Sequence, residues 1–310
     1  MDQHARPDPS TYIGGSDAPI LMGCGYGGKS KLDLWMEFTG LAETPVVDNE
    51  PARWGLLLEP FVAEEFARQQ SAMCGHKVNL KQGVFKTHPE FSYIGGHPDF
   101  EFNQPSSFPI KHRILECKTS MSRNYSDGLP LGVYWQCQHY NLVTEASGCD
   151  VFIALLDTRE FQHYKVESNT EDFDKMKAIY KDFWNNVRSG TPPTPESAHD
   201  LEVLYQEPND LAIDATPRQM QMVQRLEELK LVLKPLEEER KALEEDLKFS
   251  MGETQKLIID DRTSCTWKPI KSSRFDAKAF QRAYPELHEQ FKTQTTFRRF
   301  SINHSRRKSS

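Results

Sequence analysis

The stretch from Gly83 to Val166 constrains the fold more than any other part of this chain. It holds short β-prone segments at Gly83–Thr87, Phe91–Ile94, Asp99–Phe102, Ile114–Cys117, Val151–Leu156 and Phe161–Val166, each bounded by Gly, Pro, Asn or Asp. One helical pattern, Tyr134–Val143, interrupts them between the fourth and the fifth. Helices are predicted on both sides of this region. Ser30-Lys-Leu-Asp33 reads as a capping box opening Leu32–Phe38, with Gly40 as its stop. Trp54, Leu57, Leu58, Phe61, Val62, Glu65 and Phe66 recur at three- and four-residue steps and predict a helix over 53–70. A further helix is expected over Asp172–Arg188, ending at Gly190, and a short one over Asp17–Leu21. The pattern predicts an α/β core, a mixed sheet flanked by helices, over residues 1–200.

Thr191-Pro-Pro-Thr-Pro195 cannot continue a helix and marks the edge of that core. Residues 201–213 read as a polar linker, and 214–310 as an accessory region of different character. There Met222, Leu226, Leu229, Leu233, Leu236, Leu243, Leu247 and Met251 step 4-3-4-3-7-4-4, close to heptad spacing, with Arg240 on the same seam and Pro235 inside it. A helical hairpin and a kinked coiled coil both fit. A β-hairpin (Lys256–Asp260 with Ser264–Ile270), a helix near Asp276–Phe291 and a basic tail are expected to follow. From Lys271 onward there are ten Lys and Arg against three Asp and Glu, in a chain whose net charge is −7.

That overall acidity excludes a uniformly basic coat for nucleic acid but leaves room for a local basic groove. The longest apolar run, Val151–Leu156, falls far short of the roughly 20 residues of a membrane span. The polar first ten residues offer no apolar leader, so a membrane or secreted protein is not expected. The cysteines at 24, 74, 117, 137, 149 and 265 form no C-x-x-C pair and read as reduced thiols in a cytoplasmic protein.

Chemistry concentrates at Gly96-His-Pro-Asp99 and Glu116-Cys-Lys118. Asp99 opens one predicted strand and Glu116 lies within another, so strand pairing can bring the carboxylates together. With the main-chain carbonyl of Cys117 they form an oxygen donor set suited to Mg²⁺ or Mn²⁺. Glu116 and Lys118 leave the same strand face, because side chains alternate, and the lysine can stabilise charge on a phosphoryl oxygen or help to position a water. Alone, Glu-x-Lys is an ordinary strand pair and Pro-Asp an ordinary turn. Ile114-Leu115, however, places this pair on a largely buried strand, where charge needs a reason. Gln136, Gln138 and Tyr140 on the predicted helix could orient water or a phosphate; alternatively Trp135, Tyr140 and Val143 are simply core, with the polar residues on the wet face. Glu59 lies on an amphipathic helix among apolar neighbours. Ile13-Gly-Gly-Ser-Asp17 offers amides and a hydroxyl for an anion. Gly23-x-x-x-x-Gly28-Lys29-Ser30 satisfies the P-loop spacing, with only Ile20-Leu-Met22 before it where a buried strand belongs.

In order and spacing, these pieces resemble the YqaJ-like viral recombinase family, relatives of phage lambda exonuclease in the PD-(D/E)xK nuclease superfamily. Ile13–Asp17, Leu34-Trp35 before Thr39-Gly40, Gly55 with Glu59, Gly96–Asp99, Leu115–Lys118, and Gln136-Cys-Gln138 followed by Val143-Thr144 carry the resemblance. Trp267-Lys-Pro269 and Phe297–Phe300 extend it toward the C-terminus. The resemblance implies a Mg²⁺-dependent DNA exonuclease resecting duplex ends 5′ to 3′ in phage recombination. It implies Asp99 and Glu116 as metal ligands with the Cys117 carbonyl, Lys118 as catalytic lysine, and Glu59 supporting the metal. Gln138, with Gln136, would position water or phosphate, and Ser16 would contact a terminal 5′-phosphate. Relatives commonly carry an arginine seven residues before that serine; here the position is Pro9, with Arg6 as a substitute from the arm. A phage single-strand annealing protein, a ring-shaped homo-oligomer and the bacterial host cytoplasm are implied as partner, assembly and location. A structure- or sequence-specific endonuclease, a P-loop ATPase and a non-enzymatic DNA-binding scaffold are the alternative functions.

Overall fold

The computed structural model describes residues 7–25, 28–43, 50–104, 110–205, 212–260, 264–293 and 298–303. The chain divides into two compact units, residues 1–204 and 205–310.

In the first unit, α1 (Ala18–Leu21), α2 (Lys31–Phe38) and α3 (Glu50–Cys74) precede the sheet. The expected capping box is present at α2: Ser30 Oγ accepts from the Asp33 amide, and the Asp33 carboxylate accepts from the Ser30 amide. Strands β1 (Lys81–Gln82), β2 (Lys86–Thr87), β3 (Gly95–Gly96), β4 (Phe100–Gln104) and β5 (Lys111–Ser120) follow. Helix α4 (Leu131–Thr144) then leads to β6 (Gly148–Leu155), β7 (Glu160–Glu167), α5 (Thr170–Ser189) and α6 (Ala198–Leu204). The main sheet runs β1-β4-β5-β6-β7, with β5 and β6 parallel and the other neighbours antiparallel. It is the mixed sheet expected, with α4 as the connection that a parallel pair requires.

Alternation along β5 and β6 assigns the two faces. Ile114, Val151, Ile153 and Leu155 pack with Val133 and Cys137 of α4, whereas Leu115 and Phe152 pack with Val62, Ala63 and Phe66 of α3. A second layer of α1, α2 and α5, including Trp35, Met176 and Tyr180, covers the outer side of α4. Asn169 caps α5 at its start, and Gly190 ends it with φ 67°.

Some expectations are corrected. Phe91–Ile94 is a turn closed by the Ile94 amide on the Phe91 carbonyl, so the strand begins later, at Gly95. The short β1 was not foreseen. Residues 201–204, expected in a polar linker, complete α6, where Val203 and Leu204 pack against the core.

The second unit opens on α7 (Pro217–Met251), one continuous helix through Pro235. This settles the hairpin alternative against a hairpin. Strands β8 (Lys256–Ile258) and β9 (Ser264–Thr266) pair as the predicted β-hairpin. The single helix expected near 276–291 is two, α8 (Ala277–Ala283) and α9 (Pro285–Gln290). Pro285 has no amide to donate and disfavours helical backbone at Tyr284, which breaks the helix there. In the tail, Arg298 donates to the Tyr205 carbonyl at 3.3 Å; Arg306, Arg307 and Lys308 lie outside the described residues. No helix of the described residues is long and apolar enough to cross a membrane.

Candidate active site

The register of β4 on β5 builds the site. Phe100 pairs with Leu115, which sets Asp99, one residue earlier, across from Glu116. Asp99 Oδ2 accepts the Cys117 amide at 2.8 Å, locking its carboxylate onto β5. Glu116 is only 3% exposed. Its Oε1 accepts from Lys118 Nζ at 2.6 Å and from Gln136 Nε2 at 3.0 Å. Its Oε2 is buried with no hydrogen-bond partner among the described residues. Lys118 Nζ also donates to Gln136 Oε1 at 3.2 Å, so one amide of α4 braces both members of the strand pair.

A cleft of about 650 Å³ opens onto these groups, lined by Asp99, Glu116, Cys117, Lys118 and Thr119 on the sheet side and by Gly55, Leu56 and Glu59 on α3. Ser16 reaches the same cleft. Ile13 bridges to Ile94, taking the Tyr93 carbonyl and giving its own carbonyl to Gly95, so the N-terminal segment is stitched beside the turn that leads to Asp99. Gly15 is required there: a Cβ on it would lie 2.4 Å from the Tyr140 ring.

Burial raises the pKa of Asp99 well above the usual carboxylate range, and the charges of Glu116 and Glu59 add to this, offset in part by the Cys117 amide and Lys118. Burial works against the charge on Lys118, but neighbouring Glu116 outweighs it and holds the lysine above its ordinary pKa. Lys118 is therefore a fixed cation at neutral pH. As a cation it can stabilise negative charge.

No three His, Cys, Asp or Glu side chains form a ready cation cage among the described residues. The donors present nonetheless fit a hard divalent ion: a buried carboxylate oxygen without a partner on Glu116, the repelling carboxylate of Asp99, and the intervening Cys117 main chain. Asp99, Glu116 and the Cys117 carbonyl would hold it, with Glu59 adding charge from α3.

The YqaJ-like viral recombinase domain model matches residues 4–147. The uncharacterized protein YqaJ of Bacillus subtilis (strain 168) is 30% identical over 301 residues, covering 94% of this chain and 90% of that protein. The chain belongs to the YqaJ-like viral recombinase family. Among solved structures, the alkaline exonuclease LHK-Exo of Laribacter hongkongensis is similar with a TM-score of 0.47 and 15% identity, over 58% of this chain and 90% of that one. A phage-related exonuclease of Haemophilus somnus 129PT has a TM-score of 0.39 and 12% identity, over 58% and 96%.

Of the residues that the resemblance to the YqaJ-like family singles out, Asp99, Glu116, Cys117, Lys118, Glu59 and Ser16 line this cleft, and Gln136 bonds Glu116 and Lys118. Gln138 does not. Its Nε2 donates to the Glu167 carbonyl at 2.9 Å and to Tyr134 Oη at 3.1 Å. Two residues along a helix turn the side chain by about 200°, so Gln136 and Gln138 face opposite ways. Gln138 ties α4 to β7. Arg6 lies outside the described residues. Thr119 lines the cleft and was not foreseen; its place just after Lys118 on β5 was the available signal. The P-loop alternative loses its context: α1, not a strand, precedes Gly23, and Lys29 Nζ pairs with Glu37 at 2.8 Å while Ser30 caps α2. Tyr26 and Gly27 lie outside the described residues.

Proposed function

We propose that this chain is a Mg²⁺-dependent deoxyribonuclease that resects double-stranded DNA ends, 5′ to 3′, in phage recombination. The observation that carries the reading is the convergence of Asp99, Glu116 and Lys118 at one cleft, with a buried oxygen of Glu116 left unpaired. Membership of a viral recombinase family supports DNA as the substrate.

In phosphodiester hydrolysis water attacks phosphorus, the bond from phosphorus to the 3′-oxygen breaks, and that oxygen leaves with a proton. A divalent cation, when bound, neutralises phosphate charge and makes water more acidic. The chain's own residues do the rest. Lys118 places a permanent positive charge beside the developing phosphoryl charge, and Gln136 holds its ammonium and the Glu116 carboxylate in register. Ser16, exposed at the rim, meets the terminal 5′-phosphate, and Glu59 faces the cleft from α3. Mn²⁺ would satisfy the same donors. A ring of copies around the duplex, an annealing protein that receives the exposed strand, and the host cytoplasm complete the reading.

Linear duplex labelled at either the 5′ or the 3′ end, incubated with and without Mg²⁺, tests chemistry, metal and direction together. Early release of the 5′ label only with Mg²⁺ is expected. Cleavage of closed circular duplex would favour an endonuclease on the same core. No cleavage of any duplex would favour a DNA-binding scaffold.

A further inference from the structure

Helix α7 leaves an apolar seam uncovered along its length. Met222, Leu233, Leu236 and Leu243 are 57%, 52%, 54% and 58% exposed, and Leu226, Leu229 and Leu247 are 39%, 39% and 42% exposed. The seam steps 222, 226, 229, 233, 236, 240, 243, 247, alternating four and three without a break, and spans about 38 Å of helix. Such a stripe is the contact face of a two-stranded coiled coil. Its flanking charges decide which strand it takes.

With Leu226, Leu233, Arg240 and Leu247 at a positions, and Met222, Leu229, Leu236 and Leu243 at d positions, the flanks are Val223, Lys230, Glu237 and Glu244 at e. At g they are Arg225, Val232, Glu239 and Asp246. In a parallel pair of identical helices, g faces the following e. Arg225 would then meet Lys230, Glu239 would meet Glu244, and Arg240 would face its own copy inside the seam. Every charged contact is repulsive.

Reversing one helix changes all of them. An antiparallel pair sets a against d, and one register aligns the whole seam: Met222 with Leu247, Leu226 with Leu243, Leu229 with Arg240, and Leu233 with Leu236. In that register e faces e and g faces g. Lys230 meets Glu237, Arg225 meets Asp246, and each pair occurs twice by symmetry. Arg240 no longer faces itself, and it already pairs with Glu244 on its own helix, at the rim. The axis falls between Lys234 and Pro235. Pro235 takes a c position, pointing away from the partner, so its missing hydrogen bond falls at the one point where both helices can bend alike.

We infer that α7 pairs antiparallel with α7 of a second copy of this chain, in the register that sets Leu226 against Leu243 and Arg225 against Asp246. The seam shares no residue with the cleft lining, and the inference does not depend on the nuclease reading.

The test uses the full-length chain. Leu226→Cys and Leu243→Cys variants are oxidised separately and after mixing, with wild type as the control for its own thiols. Cross-linked dimer well above the wild-type background in the mixture only is the expected result. Cross-linking of Leu226→Cys with itself would establish a parallel pair and overturn the proposal, as would no excess cross-link in any sample. Light scattering and dilution measure the pairing energetics. Arg225→Glu with Lys230→Glu should weaken dimerisation by about tenfold or more, and adding Glu237→Lys with Asp246→Arg should restore it. Equal dimer affinity in all these variants would also overturn it.

Discussion

His139 gives this protein a specific acid sensitivity. The ring is wholly buried on α4; its Nε2 faces the Gly95 carbonyl at 2.8 Å, and its Nδ1 faces Tyr180 Oη at 3.1 Å. A carbonyl only accepts, so Nε2 carries the hydrogen and Nδ1 accepts from the tyrosine. The neutral ring satisfies both contacts. Burial accordingly lowers its pKa from 6.5 to about 4. A base with a depressed folded pKa contributes stability that is complete above 6.5 and is lost as the pH falls through about 4. The loss by about pH 4 amounts to roughly 3 kcal/mol. Asp17 runs the other way. Burial raises its pKa from 3.8 to about 6, so its stability is present below 3.8 and lost as the pH rises through about 6. That is again about 3 kcal/mol. The two slopes oppose each other in the wild type, and single variants separate them. Urea unfolding followed by tryptophan fluorescence, from about pH 4 to about pH 7.5, should show the advantage of wild type over His139→Gln shrinking by about 3 kcal/mol toward acid. Asp17→Asn should gain about 3 kcal/mol over wild type at about pH 7.5 and nothing near pH 4, because asparagine can still accept the Gly14 amide. A His139→Gln curve parallel to wild type across the range would refute the neutral buried imidazole.

The cleft makes four further predictions. Asp99→Ala and Glu116→Ala should each abolish cleavage while leaving a folded protein that still binds DNA; full cleavage by either would remove these acids from the chemistry. Lys118→Ala should slow turnover by about 10²–10³ with Arg rescuing poorly, since the planar guanidinium does not reproduce a compact ammonium; single-turnover rates measure it. Ends bearing a 5′-phosphate should be degraded modestly faster than 5′-hydroxyl ends, and Ser16→Ala should erase the difference. Gln136→Leu should lower the cleavage rate with little change in unfolding midpoint, whereas Gln138→Leu should lower the midpoint and leave the rate of folded enzyme nearly unchanged.

The last contrast marks where the sequence was legible and where it was not. Asp99, Glu116 and Lys118 could be placed from sequence because a strand has a period of two and antiparallel pairing then fixes what faces what. The long helices were legible through their apolar spacing and their ends, as at Ser30 and Gly190. Gln138 was not legible, because a motif written as Gln-Cys-Gln hides a half-turn of helix between its two amides. A two-residue strand such as β1 carries too little pattern to register, and its place is set by pairing with β4. The break at Pro285 was written in the sequence, since a proline inside a helical pattern is itself the signal. That α7 is one helix was not written there, because Pro235 permits either a break or a bend.

Helix α4 is what turns these separate strands and turns into one site. One face presents Gln136 to Glu116 and Lys118, and Tyr140, one turn later, lies under Gln136 with its hydroxyl accepting at 3.4 Å. The Tyr140 ring also fills the space left by two glycines: a Cβ on Gly15 would lie 2.4 Å from it, and one on Gly96 would lie 3.0 Å away. Those glycines belong to the segment that carries Ser16 and to the strand that precedes Asp99. The adjacent His139 fastens the same strand through the Gly95 carbonyl, and Gln138 fastens the far side of the helix to β7. Gln136, Gln138 and His139 thus each hold a different element against the helix: β5, β7 and β3. The carboxylate of Asp99, the ammonium of Lys118 and the hydroxyl of Ser16 come from three segments distant in sequence. Their common reference is this one rod, which is why His139 and Tyr140 are buried in it at all: a buried polar group costs stability unless bonded, and the bonds these two make also set the position of part of the cleft.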